Sequence, residues 1–207
     1  MRGLMILTLM IGLGCQEAAP EKAAEAVFDG TMLIGAWESP CVLAREAGTE
    51  VSMRLFEERT AQAMVHRSII YSDSACTTPS RTVRTTAALS YGAAVPSLDS
   101  TWAVDTTIGK VELMLSNQDP VELATINLVK SFGYSDWVND AFKDVSGRKE
   151  VATAVAQPEA GQVIYGIFRL DGDKLEFGDS SGNGSSPQAR PTGISAEGSL
   201  ARAPNPS

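Results

Sequence analysis

Apolar and polar residues alternate over short stretches through most of this chain. Residues 50–56 (EVSMRLF) place Val51, Met53 and Leu55 on one face and Ser52 and Arg54 on the other. After the turn-like 57–60 (EERT), residues 61–71 (AQAMVHRSIIY) set Met64, His66, Ser68 and Ile70 in alternation. Residues 31–37, 82–91, 101–106 and 110–116 read as further strands, the last two split at Thr107-Ile108-Gly109. Strand signals return at 151–156, 162–170 and 174–178, with a weaker one at 198–202. Asp171-Gly172-Asp173 is a hairpin turn signal. Short strands at this spacing, punctuated by turn residues, predict an antiparallel sandwich or barrel.

The period changes once. Asp119-Pro120-Val121-Glu122 carries an N-cap acid, proline at the first helical position and a capping-box glutamate. Val121, Ala124, Thr125, Leu128 and Phe132 follow at helical spacing, with Gly133 as the stop. A second short helix is expected from Ser135, with Val138, Ala141, Phe142 and Val145 on one face and Gly147 at its end. The expected fold is therefore mainly β, with one or two short helices inserted near 120–146.

The N-terminus has a different character. Arg2 precedes a short apolar run, 4–13, that ends at Gly14-Cys15. The run is shorter than the roughly 20 residues a membrane span needs. A positive start, a short apolar core and a small residue before the cleavage point make a secretory signal. A cysteine at that point makes it resemble a bacterial lipoprotein signal, in which the thiol is acylated and becomes the new N-terminus. The alternative is an ordinary cleaved signal with a chance cysteine. The expected organisation is a signal at 1–14, a lipidated tether at 15–30, a β domain at 31–203 and a tail at 204–207. Gln16 after the cysteine implies, by the sorting rule of such lipoproteins, an outer-membrane destination.

Charge and cysteine count narrow the function classes. The formal net charge is −8, and losing Arg2 with the signal makes it one unit more negative. An acidic chain without a basic block is a poor nucleic-acid binder. Membrane attachment is then expected through the lipid on Cys15. Of three cysteines, Cys15 is assigned to acylation, which leaves Cys41 and Cys76 as an even pair. In an oxidising compartment that pair is expected to bridge; two free buried thiols are the alternative.

Three segments carry a family resemblance. They are Gly35-Ala36-Trp37-Glu38-Ser39-Pro40-Cys41, Tyr71-Ser72-Asp73-Ser74-Ala75-Cys76-Thr77-Thr78-Pro79, and Leu175-Glu176-Phe177-Gly178-Asp179 running on to Arg190-Pro191-Thr192. Together they resemble the lipocalin-like domain of bacterial lipoproteins. That group is distantly similar to the animal Wnt-inhibiting family named for down-regulation by the adenomatous polyposis coli gene. Gly35-x-Trp37 is also similar to the Gly-x-Trp of lipocalins. Gly133-Tyr134-Ser135-Asp136-Trp137 and Lys143-Asp144-Val145-Ser146-Gly147 match the bacterial group, in which a cysteine often stands where this chain has Phe132. The resemblance implies a calycin-like barrel, a Cys41–Cys76 bridge and an interior able to hold an apolar small molecule or acyl chain. Trp37 is then a barrel-floor packing residue, with Arg202 or Arg169 as its cation partner.

Other chemistry is sparse. His66 is the single histidine, which excludes a His₂ or His₃ zinc site and points to a structural role. Asp136, Asp140 and Asp144 at i, i+4, i+8 would line one helix face, as a cation site or, more simply, a solvated face. Asp179-x-Ser181-x-Asn183-Gly184 mimics half a calcium loop, but Arg190 stands where the bidentate glutamate belongs. There is no nucleophile elbow, zincin motif or phosphate loop. The expectation is a non-enzymatic binding module without cofactor or metal. A structural or protein-interaction role in the envelope is the alternative.

Overall fold

The computed structural model describes residues 27–46, 49–151 and 153–204. Cys15 and the expected signal lie outside them, as do most of the tether and all of the tail but Pro204. The chain forms β1 (Gly35–Glu38), β2 (Val42–Glu46), β3 (Thr49–Arg59), β4 (Ala63–Tyr71), β5 (Pro79–Ala94) and β6 (Thr101–Leu115). Then come α1 (Pro120–Leu128), β7 (Phe142–Asp144), β8 (Val163–Asp171), β9 (Lys174–Gly178) and β10 (Ile194–Arg202). Eight antiparallel strands close in the order β1-β10-β9-β8-β6-β5-β4-β3, with β3 returning to β1. Closure leaves no exposed sheet edge around the ring. Of the two architectures the strand pattern allowed, sandwich or barrel, the chain forms the antiparallel barrel.

Two long strands outrun the barrel and take a second partner. β3 pairs β1 at Phe56–Arg59 and β2 at Thr49–Met53, so β1 and β2 lie end to end along one edge. Ser39 spans the break: its amide donates to the Leu55 carbonyl, and its Oγ accepts from the Leu55 amide, both at 2.9 Å. β6 pairs β8 through residues 101–107 and β7 through 112–114.

β6 is one strand, where the sequence pattern suggested two. The register jumps from Thr86 opposite Lys110 to Ala87 opposite Ile108, which leaves Gly109 as an inserted bulge residue. A Cβ there would press to 3.2 Å from Thr86 O and Oγ1. The bulge shifts the alternation by one place, so Ile108, Val111, Leu113 and Leu115 all fall on one buried face.

Several expectations are corrected. Thr31–Leu33 is a 3₁₀ turn, so β1 begins only at Gly35. The packed region starts by Val27, which bridges Ala93, rather than at residue 31. Residues 57–59, read as the start of a turn, continue β3. β2 went unrecognised in the sequence. Asp119 caps α1 as expected, its Oδ1 accepting from the Val121 and Glu122 amides at 2.8 and 2.9 Å. The helix stops at Leu128, and its packed residues are Leu123 and Ile126, while Val121 and Leu128 stand exposed. The second helix does not form; Phe142–Asp144 is the short strand β7. The strand expected at 151–156 is not found among its described residues: 151 and 153–155 are turn and coil, and Ala156 makes an isolated bridge with Lys149.

Two cores result. One joins Leu33, Trp37, Leu89, Val104, Phe168, Leu175 and Leu200 inside the barrel. The other sets Phe132, Trp137 and Val145, from the segment between β6 and β8, on the far end of the same β6 face. Each fully buried large side chain contributes roughly 1.5–3 kcal/mol.

The Cys41–Cys76 disulfide forms, with Cα atoms 5.9 Å apart. It ties the corner before β2 to the loop between β4 and β5. Asp73 shapes that loop by accepting from the amides of Ala75 (3.0 Å), Thr77 (3.1 Å) and Thr78 (2.6 Å). Hydrogen bonding of this kind favours the carboxylate and holds the Asp73 pKa below the usual range.

Candidate functional site: a half-hollow barrel

One end of the barrel is sealed by aromatic rings. Phe28 lies 5.0 Å from the rings of both Trp102 and Phe168 and 5.4 Å from Tyr91. Trp37 is 1 % exposed and donates from Nε1 to the Leu33 carbonyl at 2.9 Å. Arg202 sits 4.4 Å from the centre of the Trp37 ring and donates to the carbonyls of Met32 and Ile34 at 2.8 and 2.9 Å. One guanidinium thus binds the N-terminal 3₁₀ turn over the tryptophan. The expected pairing with Arg202 is present; Arg169 instead donates to Glu176 at 2.7 Å.

The rest of the interior is not filled. A cavity of about 470 Å³ is walled by Leu55, Met64, Leu89, Ile164 and Phe177, among others. It lies within the roughly 300–1,000 Å³ usual for ligand sites. Short residues make the space: Thr85, Thr106 and Gly166 all line it. The rim carries Pro158, Gly182, Asn183, Gly184 and Pro191.

The rim loop after β9 is fixed by Arg190. Its Nη1 donates to the carbonyls of Gly166 and Val104 at 2.8 and 2.9 Å, and its Nη2 pairs with Asp105. Gly184 has φ +63, and its carbonyl accepts from the Tyr165 amide at 2.9 Å. The carboxylate of Asp179 accepts from the Ser181 amide at 3.0 Å, and Asn183 Oδ1 from the Ser185 amide at 3.1 Å. These side chains therefore brace their own turns. Arg190, which broke the calcium pattern in the sequence, is the anchor of the loop.

A polar cluster interrupts the apolar wall. On adjacent strands Glu57 faces His66 in register. His66 Nδ1 lies 2.9 Å from Glu57 Oε1, and its Nε2 lies 2.9 Å from Ser68 Oγ. Arg59 Nε donates to Glu57 Oε2 at 2.5 Å. The side chains of Glu57 and Arg59 are each 4 % exposed. Burial pushes the Glu57 carboxyl up, but the His66 hydrogen bond and the Arg59 charge outweigh it and hold the pKa below the ordinary range. The Tyr91 hydroxyl is buried beside this group without a hydrogen bond of standard geometry. Desolvation, opposed by the nearby Arg59 charge, raises its pKa.

Ser68, His66 and Glu57 have the connectivity of a catalytic triad. Ser68 sits mid-strand, paired on both sides with Leu55 and Val83, so the ladders engage the local backbone amides. Arg59 lies on the far side of Glu57, opposite Met64. Among the described residues, no free backbone donor is thereby left beside Ser68 for the oxyanion that acyl transfer must stabilise. The cluster reads as a built polar wall.

The three aspartates expected on one helix face are dispersed. Asp136 pairs with Lys143 at 2.8 Å, Asp140 accepts from Ser116 Oγ at 2.8 Å, and Asp144 accepts from Ser146 Oγ at 2.7 Å. Among the described residues, no cluster of three or more His, Cys, Asp or Glu is disposed to hold a metal ion. No helix among them is long and apolar enough to cross a membrane. No protein-family model matches the chain, and no curated protein is significantly similar to it.

Sequence reasoning placed His66, Met64 and Ser68 on one strand face. It missed Glu57 and Arg59, which lay in the stretch read as a turn. Their alternation with Leu55 was the available signal.

Proposed function

We propose that this protein is a lipid-anchored binding module of the bacterial envelope, held to the outer membrane through Cys15, whose barrel takes up a small apolar or acylated ligand. The observation that carries the reading is the half-hollow interior: one end sealed by aromatic rings, the other left open by threonine and glycine. The apolar wall supplies affinity, because burying apolar surface is worth roughly 25 cal/mol per Å². The anchor rests on the short apolar run that ends at Gly14-Cys15.

Native mass spectrometry of protein purified from a diderm host tests the reading. A co-purified lipid adduct, and loss of Cys15→Ser from the membrane fraction, are the expected results. Adduct-free protein that also ignores added lipid would remove the carrier role. A protein-interaction role would then lead, supported by the exposed Val121 and Leu128 on α1.

A further inference from the structure

Arg59 is an unusual residue to find in a barrel wall. Its side chain is 4 % exposed, yet its one hydrogen bond among the described residues is the Nε contact to Glu57. A guanidinium carries five N–H donors. The four on its terminal nitrogens have no carboxylate or carbonyl partner among the described residues, and the Tyr91 hydroxyl lies beside the guanidinium without a hydrogen bond of standard geometry. Buried polar groups are nearly always satisfied, and an unsatisfied buried cation is costly.

The cluster stands at the cavity wall. Arg59, Glu57, His66 and Phe177 all line the cavity, and the guanidinium carbon lies 5.6 Å from the centre of the Phe177 ring. Glu57 is occupied on both oxygens, by Arg59 and His66. Both nitrogens of His66 are also engaged, with Glu57 and Ser68. The donors left over in this cluster thus belong to Arg59 and to the Tyr91 hydroxyl beside it, whose single oxygen can take no more than a share of the Arg59 donors. The complement of unused N–H donors beside an apolar wall is an acceptor oxygen on an aliphatic chain.

We infer that the cavity reads an acyl group, with the chain along the Leu55, Met64 and Ile164 wall and the carbonyl oxygen accepting from the terminal nitrogens of Arg59. This rests on the carrier reading and names what the carrier distinguishes. The same carbonyl chemistry occurs in a free fatty acid and in an acyl ester. Glu57 already balances the Arg59 charge, so a neutral ester carbonyl satisfies the site as well as a carboxylate does.

The test is displacement of a fluorescent apolar probe from the mature protein by lauric acid, methyl laurate and dodecane. A hydrogen bond to a charged donor predicts that both carbonyl compounds bind at least about tenfold more tightly than dodecane. Equal affinity of acid and ester identifies the carbonyl as the feature read; tighter binding of the acid identifies the free fatty acid. In Glu57→Gln/Arg59→Met the preference should vanish while dodecane still displaces the probe. Arg59→Lys, which keeps the charge but loses the fork, should retain part of it. If wild type binds all three within twofold, the inference is overturned and the carrier reading stands. If none of the three displaces the probe and the probe itself does not bind, the carrier reading fails as well. Should a variant lose its cooperative melt, the wild-type series decides alone.

Discussion

Phe168 and Gly166 lie two residues apart on β8 and face the same barrel interior, yet they do opposite things. Phe168 is fully buried and meets Phe28, Trp102 and Tyr91 with ring centres 5.0–5.8 Å apart. Gly166 lines the cavity, and a Cβ built on it would touch Val104 Cγ1 at an ordinary 3.6 Å. The closed end is a packed core; the open end is space kept by small residues. Along one strand, side-chain volume alone decides which half stabilises and which half can bind.

That contrast breaks most sharply at the closed end. Phe168→Ala should cost about 3–5 kcal/mol, as a cavity forms among rings that cannot collapse. Chemical denaturation would show it as a lower midpoint with unchanged slope. Reduction of Cys41–Cys76, a bridge across 35 residues, should cost about 3–4 kcal/mol. Cys41→Ala should lower the melting temperature to the same extent, and reducing agent should add nothing to that variant.

The polar wall between the halves gives a pH signature. Glu57 has a folded pKa below its unfolded value. Its contribution is therefore fully present above the ordinary carboxylate pKa and is lost as pH falls through the folded value. Wild type should lose stability over that acid range, and Glu57→Gln should be less stable at neutral pH with a flatter acid limb.

The outer surface should respond least. Ala63 and Ala88 are paired across β4 and β5, and both are exposed on the face away from the cavity. Ala63→Trp and Ala88→Trp should each change stability by no more than about 0.5 kcal/mol and leave probe uptake intact.

Legibility of the fold in the sequence followed the strength of local rules. The helix start at Asp119-Pro120 is a local signal, and it appears as expected. So is the alternation around His66, which places Met64, His66 and Ser68 correctly. The helix face was misread because Phe132 lies at helical spacing, whereas the chain leaves the helix at Leu128 and Phe132 adopts φ 51. β6 was split because a bulge shifts alternation by one place, and Gly109 reads as a turn without its partner Thr86 in view. The cavity was not legible at all. It depends on which strands face one another, and nothing in the order of residues sets Gly166 opposite Val104. Glu57 and Arg59 belong to the same class: each is an ordinary charged residue until β4 brings His66 beside them.

The most direct test of a half-hollow barrel is to fill its empty half. Gly166→Leu places a side chain in the cavity at a position with ordinary backbone geometry. Titration of wild type and Gly166→Leu with a fluorescent apolar probe, with thermal melts run alongside, measures binding and folding separately. The expected result is an unchanged melt with affinity reduced tenfold or more. A well-folded Gly166→Leu that binds the probe as wild type does would contradict the account.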